Sequence, residues 1–240
     1  MELPRTTNAP GAVLPLLQSV PYFSQLDPAV LNAIARHCRP KNCSAGQSVF
    51  MEGDPCLDLC ILESGRVMFY RVNAEGREQV LKVFERPGDT FCIPSAFSTG
   101  RYIVNIKAAI DTRLRLLDME TVNRLVQDHP SIGLKLIATA GGHMSQLVTL
   151  AEDLALKTAT GRLAKHLHEI AVSEGAAKSE PVRIPRGRLP EDELASMLGT
   201  VRVNISRGFT NLARAGAIEV NRRFVRILDL PALRRISKGK

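Results

Sequence analysis

The stretch Pro190–Ala215, PEDELASMLGTVRVNISRGFTNLARA, decides the fold of the C-terminal third of this chain. It reads as two short helices joined by a tight turn. Pro190 stands at the start of the first, where a missing N–H is harmless. Glu191, Asp192 and Glu193 follow at the positive end of the helix dipole. Leu194 and Leu198 share one face, Ala195 allows close approach of a second helix, and Gly199 supplies the left-handed residue that commonly ends a helix. From about Val201 a second helix carries Ile205, Phe209 and Leu212 as a buried stripe. Its other face carries Arg202, Asn204, Ser206, Arg207 and Asn211. An apolar seam with an Arg/Asn/Ser face outward is what a helix in a DNA major groove requires. The plainer alternative is a solvated polar face on an ordinary helical hairpin; agreement of turn, cap and face favours DNA.

Charge supports this reading. From Lys157 onward the chain has 17 Lys and Arg against 8 Asp and Glu, a net +9. The first 156 residues carry 15 against 16, a net −1. Such asymmetry suggests that one domain meets a polyanion and the other does not. The five cysteines are odd in number and irregularly spaced, which speaks against a disulfide framework and for a reducing cytoplasm. No apolar run is long enough to span a membrane. Enzyme motifs such as a Walker loop, His-Glu-x-x-His or Gly-x-Ser-x-Gly are missing, so an enzyme is not expected.

Upstream, residues 1–20 read as a loosely ordered arm. Pro28–His37 has helical periodicity with Asp27 as a candidate cap. Short β-rich segments then appear: SVFM, LCILES, RVMFYRV, EQVLKVF, TFCI, YIVNIKAAI and RLRLLD. Gly46, Gly53, Gly65, Gly76 and Gly88 punctuate them at intervals of 7, 12, 11 and 12, the spacing of successive strands and turns. This predicts a small antiparallel barrel or roll, with a generic β-sandwich as the alternative. Helical pattern resumes in METVNRLVQDHP and in a long helix from Ser131 to about Leu156. There Ile137, Ala140, Met144, Leu147, Ala151 and Leu154 recur at 3-4-3-4-3, a seam for a parallel two-helix contact. Gly141-Gly142 is expected to interrupt this helix. A further helix is expected over Thr158–Val172, a short strand at Val182–Ile184, and a hairpin of AIEV and FVRILD. Its turn, with Arg222 and Arg223 and with Arg226 nearby, reads as a basic wing. A short helix closes the chain.

The order roll, long helix, winged helix-turn-helix resembles the Crp/Fnr family of bacterial transcription regulators. The resemblance is carried by GDPCLDLCILESGRVMFYR (Gly53–Arg71), PGDTF (Pro87–Phe91), EDLALKTATGRLAKHL (Glu152–Leu167), ELASMLGTVRVNISRGFTNLARAGAI (Glu193–Ile218) and RILD (Arg226–Asp229). It implies an α+β chain: an arm at 1–20, an antiparallel, jelly-roll-like β-roll effector domain at 21–128, a dimerisation helix at 129–156 and a winged helix-turn-helix at 157–240. It also implies a homodimer on a two-fold symmetric operator, gated by an effector. Implied partners are double-stranded DNA, a second copy, RNA polymerase if the protein activates, and an unidentified small-molecule or gas effector, with no membrane. The second function class is a haem- or redox-responsive sensory module whose basic C-terminal domain does not bind specific DNA.

Two departures from the family pattern matter. Members that bind cyclic nucleotide carry Gly-Glu-Leu, where the Glu accepts from the ribose, and later Arg-Ser/Thr-Ala, where the Arg pairs the phosphate. Here the first triplet is Cys92-Ile93-Pro94, and Tyr102-Ile103 stands where Arg-Ser/Thr would fall, with Arg101 one place early. Cyclic AMP is therefore not expected as the effector. In the recognition helix the frequent Glu is replaced by Val203, which suits a thymine methyl rather than cytosine. The expected DNA-reading set is Thr200, Arg202, Val203, Asn204, Ser206 and Arg207, with Arg222 and Arg223 on phosphates. Candidate pocket residues are Cys92, Ile93, Arg101, Tyr102 and His143. The last has two readings, a haem or pocket ligand and, more plainly, a polar residue beside the dimer seam. Cys56 and Cys60, roughly 13 Å apart if both lie in one strand, are too far apart to share a small cluster. Lone thiols such as Cys38 and Cys43 are usually core residues. Haem stays open, an iron–sulfur cluster is disfavoured, and no metal site is assigned.

Overall fold

A computed structural model describes residues 10–175 and 182–239. The chain falls into two compact units: one runs through Arg71 and from Lys82 to Ser145, the other from Val72 to Leu81 and from Gln146 onward.

The first unit opens with α1 (Pro10–Ser19) and α2 (Pro28–His37). The loosely ordered arm is thus corrected over residues 10–20; residues 1–9 lie outside the described ones. Val13, Leu17 and Val20, spaced by four and three, are buried with Leu31 and Ile34 of α2. That burial compensates for the backbone hydrogen bond lost at Pro15. Asp27 stands at the N-cap of α2 but makes no side-chain cap bond.

The strands are β1 (Arg39–Cys43), β2 (Ser48–Phe50), β3 (Asp58–Ser64), β4 (Val67–Val72), β5 (Glu78–Phe84), β6 (Thr90–Phe91), β7 (Asn105–Ala108) and β8 (Thr112–Asp118). They form two four-stranded sheets, ordered β1-β8-β3-β6 and β2-β7-β4-β5, with antiparallel pairing. β1 has a polar sequence with no strand signature; its Pro40 is tolerated at a sheet edge. Gly65 (φ +100°) makes the β3–β4 turn, where an added Cβ would lie 2.6 Å from the Thr112 Cα. No other residue type fits there. Arg115 in β8 is fully buried, and its Nε and Nη2 meet the Glu63 carboxylate at 2.9 and 3.1 Å. This bidentate pair keeps the charge compensated inside the sheet.

TFCI is not all strand: β6 stops at Phe91, and α3 (Ile93–Phe97) begins after Cys92. Next come α4 (Met119–Asp128), capped by Asp118 on the Thr121 N–H at 2.7 Å, and α5 (Pro130–Leu156). α5 runs unbroken through Gly141-Gly142, which corrects the expected interruption.

In the second unit α6 (Ala159–Ser173) is capped by the Thr158 hydroxyl. Then follow β9 (Arg183–Pro185), α7 (Glu191–Met197), α8 (Arg202–Arg214), β10 (Ile218–Val220), β11 (Phe224–Ile227) and α9 (Leu230–Ser237). The small sheet has the order β10-β11-β9. One core joins Leu163 and Leu167 of α6, Leu194 of α7, Ile205, Phe209 and Leu212 of α8, Val225 of β11 and Leu233 of α9.

Candidate nucleic-acid interface

The turn between α7 and α8 is built as the sequence suggests. Gly199 takes φ +61°, and the Thr200 N–H reaches back to the Ala195 carbonyl at 2.9 Å. This closes α7 with the left-handed residue that a helix end favours. In α8, Ile205, Gly208, Phe209 and Leu212 are buried, while Arg202, Val203, Ser206, Arg207, Thr210, Asn211 and Arg214 are exposed. Those seven residues line one shallow groove together with Glu191. Thr210 and Arg214 extend the face beyond the residues read from sequence. Four- and three-residue steps from Ser206, Arg207 and Asn211 would have found them.

The predicted readers differ in how free they are. Arg207, Arg222 and Arg223 form no ion pair among the described residues. Arg202 is held by two acidic groups of α7: its Nη1 lies 3.3 Å from Asp192 and its Nε 3.7 Å from Glu191. Asn204 is half-buried, and its side-chain amide donates to the Thr200 hydroxyl at 3.0 Å, so this pair braces the start of α8. Val203 is 57% exposed, an apolar side chain open to a methyl-bearing partner.

The wing forms between β10 and β11. The Asn221 carboxamide oxygen accepts from the N–H groups of Arg223 (2.8 Å) and Phe224 (2.9 Å), a side-chain turn that holds Arg222 and Arg223 outward. Arg226 is removed from the basic set, because it pairs across the strands with Glu219. Arg186 fixes the helix-turn-helix from below: it bonds Glu191 at 2.9 Å and lies 4.7 Å over the Phe209 ring.

Arg162 of α6 ties several elements of this unit together. Its Nε donates to the Leu198 carbonyl at 2.6 Å and its Nη2 to that of Gly199 at 3.3 Å, both in the turn. Its Nη1 donates to the Lys157 carbonyl at 2.6 Å, at the end of α5. Burial acts to raise the Asp153 pKa, but hydrogen bonds from Lys157 and Lys165 leave this carboxyl below its usual range.

The structure places the pocket candidates in several surroundings, with Cys92 and Tyr102 near each other inside the roll. Ile93 belongs to the core shared by α1 and α2. Arg101 is exposed, and its Nη1 donates to the Gly53 carbonyl at 2.7 Å. The His143 ring packs edge-on against Phe84, 5.7 Å between centres. Burial and then nearby Lys82 push its imidazole below its ordinary value. Cys92 and Tyr102 are both buried, the latter stacked on Phe50 at 4.4 Å. Cys56 is not part of β3, so the distance expected from one continuous strand does not apply. Its thiol lies 3.7 Å from the Cys92 carbonyl, and Cys60 and Cys92 are 3.7 Å apart at sulfur. Among the described residues, no group of three or more His, Cys, Asp or Glu is arranged to hold a metal ion, and no helix is long and apolar enough to cross a membrane.

Residues 40–129 match the cyclic nucleotide-binding domain model, and residues 161–236 match the Crp-like helix-turn-helix domain. A CRP-like cAMP-activated global transcriptional regulator of Mycobacterium tuberculosis is 26% identical over 213 residues, 89% of this chain and 94% of that protein. The transcriptional activator protein FnrA of Stutzerimonas stutzeri is 25% identical, over 95% of this chain and 90% of its own length. The solved structure of a CooA mutant from Carboxydothermus hydrogenoformans superposes with a TM-score of 0.70 at 27% identity, covering 84% of this chain and 88% of that one. Together with the antiparallel sheets, the long helix and the winged helix-turn-helix, these matches place the chain in the Crp/Fnr family of DNA-binding transcription regulators.

Proposed function

We propose that this chain acts in the cytoplasm as a homodimeric, effector-gated transcription regulator that reads a two-fold symmetric operator. The observation that carries the reading is the outward face of α8, with Arg207, Ser206, Val203 and Asn211 along one groove, Arg222 and Arg223 being free on the wing. Arg207 supplies base discrimination, since a guanidinium matches the paired acceptors of guanine. Arg222 and Arg223 meet phosphates, which fix position but carry no sequence. Arg202 reaches DNA only by leaving Asp192 and Glu191, which makes it a weaker candidate than its place on the helix suggests.

The homodimer rests on α5. Ile137 is 70% exposed, Met144 67% and Leu147 46%, so the heptad seam is largely uncovered in the single chain. A row of exposed apolar side chains at 3-4 spacing is a surface that a second copy of the same helix covers. As the effector we exclude cAMP, although the mycobacterial relative carries cAMP activation in its name. The positions that would hold ribose and phosphate carry the buried Cys92 thiol and the Tyr102–Phe50 stack, and Arg101 turns to the Gly53 carbonyl. An activator of this kind also meets RNA polymerase.

Binding to palindromic and scrambled duplexes over a salt series tests the core of this reading. A large preference for the palindrome, with affinity falling steeply as salt rises, is expected. Equal binding to both duplexes would overturn it.

A further inference from the structure

Three of the five cysteines meet at one place inside the roll. Cys60 lies in β3 opposite Phe91 of β6, and Cys92 follows Phe91 directly. Their sulfurs are 3.7 Å apart, about 1.7 Å beyond bonding length. The Cys56 thiol also approaches Cys92, donating to its carbonyl at 3.7 Å. Cys92 is therefore approached by two thiols. It is also the one non-glycine with positive φ among the described residues, at +80°. Such a conformation is strained for a residue with a side chain, and it clusters where chemistry is done.

We propose that Cys56, Cys60 and Cys92 form a hydroperoxide-reactive thiol site, in which Cys56 is oxidised first and the product is a Cys60–Cys92 disulfide. Cys56 is itself buried, but its chain neighbours Pro55 and Leu57 are exposed, so it lies one residue from the surface, and hydrogen bonding to Cys92 holds its thiol below the ordinary range. Burial instead pushes the Cys92 thiol up, so Cys92 waits as the resolving group. The Cys56 thiolate attacks one oxygen of the hydroperoxide. The O–O bond breaks, the alcohol or water leaves with the thiol's proton, and the sulfur, oxidised by two electrons, becomes a sulfenic acid. The Cys92 sulfur then attacks Cys56. An S–S bond forms, the S–O bond breaks, and hydroxide departs with the second thiol's proton as water. Cys60 attacks Cys92 in turn: the Cys56–Cys92 bond breaks as the Cys60–Cys92 bond forms, and the proton that leaves Cys60 ends on Cys56, which returns as a thiol.

Closing that bond moves Cys92 or β3, and the neighbouring aromatic residues share the movement. Phe91 packs on Phe69 and Phe84 at 5.5 and 5.3 Å, and Phe84 touches His143 of α5. The thiol site thereby has a packed route to the long helix within the first unit. As a regulatory input it rests on the regulator reading above, but its chemistry is measured without DNA, so the two can fail separately.

The test treats the reduced full chain with one equivalent of hydrogen peroxide, alkylates it in denaturant and maps the peptides. The expected result is loss of two of the five alkylatable thiols, with the Cys92 peptide linked to that of Cys60, or to that of Cys56 at early times. Recovery of Cys92 as a free alkylated thiol, or its oxidation without a crosslink, would overturn the proposal. Cys56→Ser is expected to slow crosslinking at least about tenfold, and an unchanged rate in the folded variant removes Cys56 from its role. If that variant does not fold, the wild-type map alone decides.

Discussion

The guanidinium of Arg162 donates to the carbonyl of Leu198 at 2.6 Å, so a side chain of α6 holds the backbone turn that aims the recognition helix. The same group reaches the Gly199 and Lys157 carbonyls. Helix-end and turn carbonyls that lack backbone partners are here satisfied by one rigid fork of donors. Arg162→Met should destabilise the C-terminal unit by about 1–3 kcal/mol, since partly buried carbonyls lose a charged donor. Arg162→Lys should restore little of this, because an ammonium cannot span the set. Urea unfolding measures both, and near-wild-type stability of the Met variant would show that the fork is dispensable.

Leu147→Glu tests assembly. Leu147 is 46% exposed in the single chain, so the fold should lose no more than about 0.5 kcal/mol. A charge in the seam of a two-helix contact should nonetheless give monomers and abolish operator binding. Light scattering that still reports a dimer would show the seam to be misassigned.

Arg207→Ala and Arg222→Ala should fail differently. The first should flatten the preference at one base pair per half-site, a loss of about 1–3 kcal/mol of discrimination. The second should weaken all sequences alike and reduce the salt slope by about one per half-site. Single-base operator variants at several salt concentrations separate the two, and identical behaviour would make Arg207 a phosphate anchor.

Calorimetry with cAMP should show no micromolar binding, because a cyclic phosphate at Cys92 and Tyr102 would meet a thiol and an aromatic stack instead of a guanidinium and a carboxylate. A micromolar isotherm would overturn the reading of Cys92-Ile93-Pro94.

His166 gives a pH dependence. Burial in α6 pushes its imidazole down to about 4, from an ordinary value of 6.5. The folded state therefore disfavours the proton that the unfolded chain accepts. The His166 contribution is fully present above pH 6.5 and is lost as pH falls toward 4, by up to about 1.4 kcal/mol per pH unit. His166→Gln should flatten this part of the stability profile in urea titrations between those limits. An unchanged slope would assign it to another group.

The helix-turn-helix was legible because its signals are local. A proline, three acidic residues, a left-handed glycine and a four-three apolar stripe all lie within Pro190–Ala215, and each acts on its near neighbours in the chain. The strands of the roll were marked by their glycine turns for the same reason. Other features depended on partners far along the chain. The helix at Pro10–Ser19 holds because Val13 and Leu17 are buried against α2, and β1 is a strand because β8 pairs with it. Ionic pairing also needed the fold: Arg202 and Arg226 look like free cations until Asp192 and Glu219 are seen beside them. The thiols show this dependence most plainly. Cys92 lies far along the chain from the Cys56–Cys60 pair, and only the pairing of β3 with β6 brings Cys60 and Cys92 within 3.7 Å. The sequence by itself thus determined the elements whose geometry is set within one or two helical turns, together with the charge that seeks DNA. The tertiary structure decided which charges are already paired and which sulfurs meet, because burial and contact across strands are properties of residues distant in the chain.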